Sequence, residues 1–488
     1  MKRFLLALSC ALALTGSLFA QATSHPGLFR YRLDNGLELF VYRDATLPLA
    51  RVGMSFRAGS SFQAADSAGS FGLLERLAFE NGGQAGGPAG ASPRLKAAMA
   101  RIGAAESGGG TGTDSMGYWL RLPAARTGEA LRFWAERFVD APLDPAALAA
   151  AKAGALARLA ELKAEPDAVY EAAVAKRLFG KYPWRRDPAG SEAAIAAATP
   201  ESLARLRDAY LVPGNAAVFV GGDVDPEETR RAVEALFGGW KRADEASRPA
   251  LPAHPRPGVP RPTWIVHPDA SLPEGLAMVE ARYRGPDLQS DPQGSYAADL
   301  WTALVADPEG RFKKAVAKEV PKLYGRDSIS AYYLSQRDGG ALSVSAYFSV
   351  DPALSSVDRA RQFKERVRGF EMTAMRTEPA YFSAADYEAA RRRLSDARAL
   401  SLETADGFLE SLAFWWASAS ADYFLGYPEA LAKTGPREVG AFIDAYVMRN
   451  LEVVALRMSP ADYEREKKSF AGAGFEVVTA ANAFWWQR

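Results

Sequence analysis

Apolar residues recur at helical spacing over residues 70–81 and predict an amphipathic helix there. The apolar face comprises Phe71, Leu74, Leu77 and Ala78. One carboxylate, Glu75, lies in the middle turn, and the Gly-Gly pair that follows ends the predicted helix. This periodicity fits ordinary core packing as well as an active-site helix, so the rest of the chain has to decide between them.

Strand-like and helix-like patterns are mixed along the first half of the chain without strict alternation. Alternating apolar residues predict strands at 36–44, 50–62 and 114–123. Helical spacing predicts an amphipathic helix over 127–140, followed by a long Ala-rich helix capped by Asp144. This mixture favours an α+β sandwich of sheet and helices over a Rossmann-like fold.

Two segments of the chain share one pattern. They start at Leu206 and Phe442, and each runs through Asp-Ala-Tyr into an apolar β-rich stretch, a Pro-led acidic helix start and a second helix. A repeat of this length predicts duplication of a domain of about 220 residues. A Pro-dense stretch at 246–264 is typical of a stiff linker, here between an N-terminal domain (26–245) and a C-terminal domain (265–488).

Residues 1–20 have the pattern of a signal peptide. Two basic residues precede a short apolar run, and Ala20 offers a small residue before a cut at Gln21. The only cysteine, Cys10, lies inside this segment, so the mature chain has no thiol. A lipid anchor at Cys10 is the less favoured interpretation. We therefore expect an exported protein, periplasmic or extracellular, with no membrane-spanning segment.

Composition and motif spacing exclude several kinds of chemistry. The net charge of +1 favours neither nucleic acid nor an anionic membrane as partner. The three histidines, His25, His254 and His267, lack the spacing of a helical metal pair and predict no Ser-His-Asp arrangement. The Gly-rich stretch at 107–113 lacks the lysine of a phosphate-binding loop and leads into a predicted strand.

Five short motifs follow one another along the chain. They are LDNGLELFV from Leu33, AGSSFQ from Ala58, YPWRRDPAGSEAAI, YLVPGNAAVFVGGDV and GRFKKAVAKEVPKLYG. In this order they resemble the pitrilysin/insulinase superfamily, the inverted-motif zinc peptidases that include the mitochondrial processing peptidase, although Gln63 stands where a Glu is usual. The resemblance covers nearly the whole mature chain. It implies two homologous α/β-sandwich domains in a clamshell, joined by the Pro-rich linker.

Members of this superfamily hold zinc with His-x-x-Glu-His on one helix, and a Glu on a later helix completes the site. Laid over that motif, residues 72–76 place Gly72 and Arg76 at the two histidine positions and leave Glu75 as a vestigial base. Glycine offers no donor atom, and a protonated arginine repels a dication.

The later acidic positions have changed as well. Ala151 and Arg158 stand where the superfamily has Glu, and Glu161, one turn further on, cannot rebuild the site alone. The resemblance therefore implies a peptidase homologue with no zinc and no catalytic residues. An arginine at a vacated ligand position can instead pair with a carboxylate, and the candidate partners of Arg76 are Glu75 and Glu161.

The resemblance also implies a substrate-binding strand edge within AAESGGGTGTDSMGYW. Thr111, Asp114 and Tyr118 fit the superfamily's spacing, whereas Gly108 replaces its usual Asn. An exposed strand edge binds extended peptides through main-chain hydrogen bonds, which require no particular side chain. The alternative is a surface loop that leads into a core strand.

In the second domain, active assemblies of the superfamily use an Arg and a Tyr seven residues apart to hold the substrate backbone. Tyr324 matches the Tyr, but Ala317 stands at the Arg position, and Lys318 replaces it only after a slip of one residue. Substrate binding by Tyr324 and Lys318, and plain packing of Tyr324 against the sheet, stay open as alternatives.

Three functions compete at this point. The favoured one is a non-catalytic peptide-binding subunit, paired as a heterodimer with an active paralogous peptidase, or as a homodimer. The second is a stand-alone peptide-binding or assembly module without a role in proteolysis, as core subunits of the respiratory bc complex have become. The third is an enzyme with a different site, for which the sequence offers no nucleophile and base.

Overall fold

The computed structural model describes residues 25–79, 93–139, 143–243 and 263–487. The predicted signal peptide, Cys10 and most of the predicted linker lie outside these ranges.

The N-terminal domain is built on a mixed sheet of six described strands. They are β1 (Leu28–Arg32), β2 (Glu38–Arg43), β3 (Leu49–Phe56), β4 (Glu106–Thr111), β5 (Met116–Pro123) and β6 (Ala216–Gly222). Their order across the sheet is β1-β2-β6-β3-β5-β4, so β4 forms one edge. β2 and β6 run parallel, and the other neighbours are antiparallel. The strands predicted at 36–44, 50–62 and 114–123 correspond to β2, β3 and β5.

The helices of this domain lie between the strands in sequence. They are α1 (Ser70–Phe79), α2 (Pro93–Arg101), α3 (Thr127–Phe138), α4 (Pro145–Ala164), α5 (Pro166–Phe179), α6 (Glu192–Ala197), α7 (Pro200–Tyr210) and α8 (Pro226–Phe237). Asp144 caps α4 as predicted, because its carboxylate accepts a hydrogen bond from the Ala147 backbone N–H at 2.8 Å. Throughout the described ranges, no helix has both the length and the apolar character needed to cross a bilayer.

The C-terminal domain repeats this sheet. Its described strands are β7 (Thr263–Pro268), β8 (Leu276–Arg284), β9 (Ser330–Leu334), β10 (Ala341–Ser349), β11 (Val453–Met458) and β12 (Glu476–Val477). Their order is β12-β7-β11-β8-β10-β9, with β7 parallel to β11 and β8 antiparallel to both β11 and β10. β7, β11, β8, β10 and β9 thus take the places of β2, β6, β3, β5 and β4, as a duplicated domain requires.

The second domain contains more helix than the first. Its helices are α9 (Pro292–Val305), α10 (Arg311–Glu319), α11 (Ser356–Lys364), α12 (Thr373–Thr377), α13 (Ala384–Ser401), α14 (Ala405–Ser418), α15 (Ala421–Lys433), α16 (Pro436–Ile443) and α17 (Pro460–Gly472). A π-helical segment, Glu365–Met372, connects α11 to α12. The structure therefore confirms the predicted fold class, two sandwich domains of sheet and helix.

The first sheet buries both of its faces, and each face meets a different domain. Val218 and Val220 of β6 join a core with α1, α3 and α8 of their own domain. Phe219, between them in sequence, points to the opposite face and joins a separate cluster with side chains of α14, namely Phe408, Leu409, Leu412 and Trp416. A helix of the C-terminal domain therefore covers the outer face of the N-terminal sheet.

The second sheet is covered in the reciprocal way. Ile265, Val453 and Ala455 point away from their own domain's helices and pack against α5, which belongs to the N-terminal domain. The Tyr170 hydroxyl of α5 donates a hydrogen bond to Glu280 of β8, and both groups are buried. The two domains are therefore joined by shared apolar clusters together with buried polar contacts.

Trp416 connects the domains through polar contacts as well as packing. Its ring lies 4.0 Å from the Arg57 guanidinium, its carbonyl accepts hydrogen bonds from Arg57 at 3.1 and 3.2 Å, and its indole N–H donates to Glu38 at 3.0 Å. Cation–π contacts of a desolvated arginine add to the burial of the ring. Trp416 is only 1% exposed, so water does not compete at the ring.

We predict that Trp416→Ala lowers the free energy of unfolding by about 3–5 kcal/mol, because it leaves a cavity between α14 and the sheet. Phe414→Ala is the matched control, since Phe414 lies on the same helix but is 46% exposed. We expect its cost to stay below about 1 kcal/mol. Urea unfolding of the full chain measures both values, and equal losses would contradict the account of α14 as a core element.

Candidate functional site

A cavity of about 310 Å³ lies between α1, α4, the edge strand β4 and the loop that follows α5. Its walls contain five of the residues singled out from the sequence and several others. The lining residues are Gly69, Gly72, Glu75, Arg76, Gly110, Thr111, Ala155, Arg158, Leu162, Asp187, Pro188 and Ala189. Three positions where the superfamily has metal ligands, 72, 76 and 158, therefore meet in one cavity.

Gly72 leaves open space on the face of α1 that turns toward the cavity. A Cβ atom built at this position meets only the Pro188 carbonyl oxygen, at 3.6 Å, which is ordinary contact. A Cβ atom would therefore fit here without moving the backbone. The packing does not require a glycine at position 72, and this glycine offers no donor atom to the cavity.

Glu75 is buried and held by two hydroxyl groups. Its Oε2 atom accepts hydrogen bonds from Thr111 Oγ1 at 2.6 Å and from the Tyr118 hydroxyl at 3.3 Å. Burial and the nearby negative charge of Glu75 raise the pKa of Tyr118 well above its ordinary value, so the phenol stays a donor. Glu75 thus anchors α1 to strands β4 and β5.

Arg76 is buried beside it, with 6% of the residue exposed. Its Nη1 atom is shielded from solvent and has no hydrogen-bond partner among the described residues. Burial lowers the pKa of the Arg76 guanidinium, whereas the negative charges of Glu75 and Glu161 raise it. In the described part of the chain neither carboxylate forms an ion pair with Arg76, so the pairing suggested by the sequence is not observed.

Arg158 lines the same cavity from α4 but is engaged elsewhere. It forms ion pairs with Glu165 at 2.7 Å and Glu161 at 3.2 Å, and the hydrogen bond that Arg158 donates to Glu165 raises the pKa of Arg158. Ala151, the other altered acidic position, is buried in the domain core and does not line the cavity. Glu161 therefore neutralises Arg158 rather than Arg76.

Asp187 belongs to the cavity, although the sequence analysis did not place it there. Its carboxylate accepts a hydrogen bond from the Ala189 backbone N–H at 2.7 Å, and burial raises its pKa. The signal was present in the motif YPWRRDPAGSEAAI, but a motif alone does not say which helix its loop faces. The loop reaches the start of α1 through Gly190, which packs against Gly69. A Cβ atom added at Gly190 would lie 2.5 Å from the Gly69 Cα atom.

The residues around this cavity do not fit a zinc ion. Zinc requires nitrogen, sulfur or oxygen donors at about 2.0–2.3 Å in tetrahedral arrangement. Position 72 has no side chain, and positions 76 and 158 present guanidinium groups, which cannot deprotonate to become ligands. Across the described ranges, no three His, Cys, Asp or Glu side chains are arranged so that they could hold a metal.

β4 is an edge strand of the described sheet and lies next to the cavity. It pairs only with β5 among the described strands, and its Gly110 and Thr111 line the cavity. Gly109 has φ +116 and approaches the Gly117 carbonyl so closely that no side chain fits, while a Cβ at Gly108 would meet the Trp119 ring at 2.7 Å. The glycines therefore keep this edge free of side chains, and the stretch 107–113 is largely strand itself rather than a lead-in to one.

Two residues predicted for the strand edge lie away from it. The Asp114 carboxylate is buried and accepts hydrogen bonds from the Arg337 backbone N–H at 2.6 Å and from Ser61 Oγ at 3.3 Å. Tyr118 is 2% exposed and belongs to the core. Asp114 thus joins the two domains, and Tyr118 supports Glu75, so neither side chain is available to a ligand at the edge.

Lys318 and Tyr324 lie in the C-terminal domain, and neither lines the cavity. The Lys318 side chain is 82% exposed at the end of α10, and its amino group lies 3.8 Å from Glu319. Tyr324 is 55% exposed, and its backbone N–H donates to the Tyr347 carbonyl at 3.0 Å. Within this chain the structure does not bring them to Glu75, and the exposed ring of Tyr324 does not fit the core-packing alternative.

The duplicated sandwich with its altered ligand positions defines the class: a two-domain metallopeptidase fold. Comparison with family models assigns the chain to one peptidase family. Residues 39–190 match the model of the insulinase family, peptidase family M16, and residues 197–394 match the model described as the peptidase M16 inactive domain. The chain therefore belongs to peptidase family M16, as the motif order predicted. The second model does not include positions 72–76, so its description says nothing about them.

Solved structures show the same fold over most of the chain. A protease from Helicobacter pylori matches with a TM-score of 0.71 at 15% identity, covering 89% of this chain and 100% of that one. A peptidase M16 inactive domain from Pseudomonas fluorescens matches with 0.68 at 16% identity, covering 88% and 98%. The periplasmic protease PqqL from Escherichia coli matches with 0.67 at 14% identity, covering 93% of this chain but 51% of that one. No curated protein matches the sequence.

Asp114 makes the stability of the domain contact depend on pH. Burial raises its pKa from 3.8 to about 6, so the folded state binds the proton more tightly than the unfolded chain does. Stability therefore falls as pH rises through the window between these values, by about 3 kcal/mol in all. In Asp114→Asn this fall should be missing.

Urea unfolding between pH 4 and pH 7 measures the effect as a difference between wild type and variant. Asp208→Asn is the control, because the Asp208 side chain is 64% exposed on α7 and should leave the wild-type profile unchanged. Parallel profiles for wild type and Asp114→Asn would show that Asp114 does not titrate in this window.

Proposed function

We propose that this protein is the non-catalytic, peptide-binding subunit of an M16-type peptidase and that it works beside an active paralogue. The observation that carries the proposal is the cavity itself. Positions 72, 76 and 158 line one cavity, and they hold a glycine and two arginines.

The residues that line the cavity cannot supply hydrolytic chemistry by the family's route. In that route zinc activates a water, and the Glu takes its proton. Here Glu75 has a fixed cation, Arg76, as its neighbour instead of a metal, and its Oε2 atom already accepts two hydroxyl hydrogen bonds. Glu75 therefore acts as a structural group that holds β4 against α1.

Peptide binding is supported by the edge of β4. Main-chain groups on that edge can pair with an extended peptide as an added strand, and the glycines at 108–110 leave room for it. Such pairing does not depend on the side chains that have changed. Peptide binding at this edge therefore does not require the metal ligands.

Pairing with a second chain is supported by relative length. The match covers 93% of this chain but only 51% of the E. coli protease PqqL, so this chain corresponds to about half of that protein's length. A partner chain that carries an intact His-x-x-Glu-His would supply the missing half and the catalytic site. The signal-like residues 1–20 support export, in line with the periplasmic description of that E. coli protein.

The loss of the metal site can be tested by rebuilding it. We predict that wild type binds zinc below one equivalent after dialysis, whereas Gly72→His/Arg76→His/Arg158→Glu binds close to one. His at 72 and 76 share a helical face, and Gly72 has space for a Cβ atom. Metal analysis by mass spectrometry checks both. Stoichiometric zinc in the wild type would overturn the proposal.

The partner is tested by affinity purification of the tagged, processed chain from its native host. We expect an M16 paralogue with intact metal ligands to co-purify, and chelator-sensitive peptidase activity to depend on that paralogue. Peptide binding by the chain without any partner would favour the stand-alone binding or assembly module. Chelator-sensitive turnover by the isolated chain would contradict a non-catalytic role.

A further inference from the structure

A second cavity, of about 290 Å³, lies on the opposite face of the N-terminal sheet. Residues of β3, β4 and β5 form its floor, and α14 of the C-terminal domain forms a wall. Phe219 and Leu409, which belong to the apolar cluster between this sheet and α14, also line it. We call this space the outer cavity, and both domains contribute to it.

The walls of the outer cavity are aromatic and can be reached from solvent. Gly53 pairs in register with Trp119 on one side and with Phe219 on the other, so the two aromatic side chains share this face of the sheet. Phe414 of α14 faces them and is 46% exposed, and Trp119 is half-buried. A ligand can therefore touch both rings without any movement of the core.

The charged residues of the outer cavity neutralise each other. Arg51 and Glu410 form an ion pair at 3.5 Å, and the Arg51 guanidinium also lies 4.1 Å from the Trp119 ring. Pockets with apolar walls and few polar groups favour apolar ligands. The chemistry of this cavity therefore favours an apolar group over a charged one.

The edge strand β4 separates the two cavities by bare backbone. Gly110 lines both of them, and a Cβ atom built there meets only Glu75 Oε2 among the described atoms, at 3.9 Å. At Gly108, in contrast, the Trp119 ring already fills the space above the strand. The way from the edge of the sheet into the outer cavity therefore passes Gly110.

A peptide added to β4 would present side chains to both cavities. Successive side chains of an extended strand point to opposite faces of the sheet, and neighbouring strands lie about 4.8 Å apart. Long and aromatic side chains reach across that distance to the next strand. Because Gly110 has no side chain, a long side chain opposite it can lean over β4 toward Phe414.

We propose that the outer cavity binds one apolar side chain, aromatic or long aliphatic, of a peptide that adds to β4 as a strand. The proposal rests on the peptide-binding function above and names a determinant of its specificity. Since α14 supplies Leu409 and Phe414, the C-terminal domain takes part in selecting peptides that bind to the N-terminal sheet.

The test is fluorescence anisotropy on the full mature chain with labelled, amidated peptides of one length. The reference peptide contains only Thr and Ser, and the others have Phe, Leu, Asp or Lys at one central position. We expect Phe and Leu to raise affinity at least about tenfold over the reference, because burial of such a side chain is favourable. Asp and Lys should give no gain, and a gain for Lys instead of Phe would overturn the apolar assignment.

Two variants place the effect in the outer cavity. Phe414→Ala removes an exposed ring of the wall, and Ala413→Phe puts a ring into the space, so each should reduce the preference for Phe to below about threefold. Phe370→Ala is the matched control, because Phe370 is 56% exposed, belongs to the π-helical segment and does not line the cavity. It should keep the full preference.

Circular dichroism and the thermal midpoint show which variants are folded, and Phe414→Ala decides the test if Ala413→Phe is not. Equal affinity for all peptides, or a preference that survives Phe414→Ala, would overturn the outer site while peptide binding stands.

A short probe separates the opposite case. N-acetyl-phenylalanine amide carries the ring but is too short to pair as a strand, and N-acetyl-glycine amide is its blank. We expect the phenylalanine probe alone to raise the thermal midpoint of wild type, and to raise that of Phe414→Ala less. If it does so while no extended peptide binds, the outer cavity takes apolar groups and the proposed peptide-binding function fails.

Discussion

The central strands of both sheets carry apolar side chains on both faces, and that constraint determines how the chain is assembled. One face of each sheet is covered by helices of its own domain, and the apolar part of the other face needs a cover from elsewhere. α14 crosses to the first sheet and α5 crosses to the second, so each domain completes the core of the other. Trp416 and Tyr170 are the buried aromatic residues at the centres of these two contacts.

The cavity is held in place by packing that does not involve its charged side chains. α1 and α4 are fixed by core packing that does not include residues 72 or 158, and Glu75 holds β4 to α1 through Thr111. The side chains at these positions therefore determine the charge and donor chemistry of the cavity, and Arg76 supplies a permanent positive charge.

The amino-acid sequence predicts the parts of this structure that depend on local residue patterns. The α1 helix, the cap at Asp144 and the duplicated strand–helix segments follow from periodicity and motif order. The reciprocal helices could not be predicted, because periodicity shows that a face is apolar but not which element covers it. Asp114 fitted a strand-edge spacing, yet its carboxylate reaches Arg337 across 223 residues. Asp187 was missed because its loop meets α1 only through tertiary packing.

The most direct test of the central claim is anomalous diffraction at the zinc edge from crystals of the full mature chain grown with excess zinc and an extended peptide with a free C-terminus. The account predicts no zinc peak in the cavity and a peptide paired with β4. A zinc ion coordinated by residues of the cavity, with the peptide backbone held against it, would contradict the account.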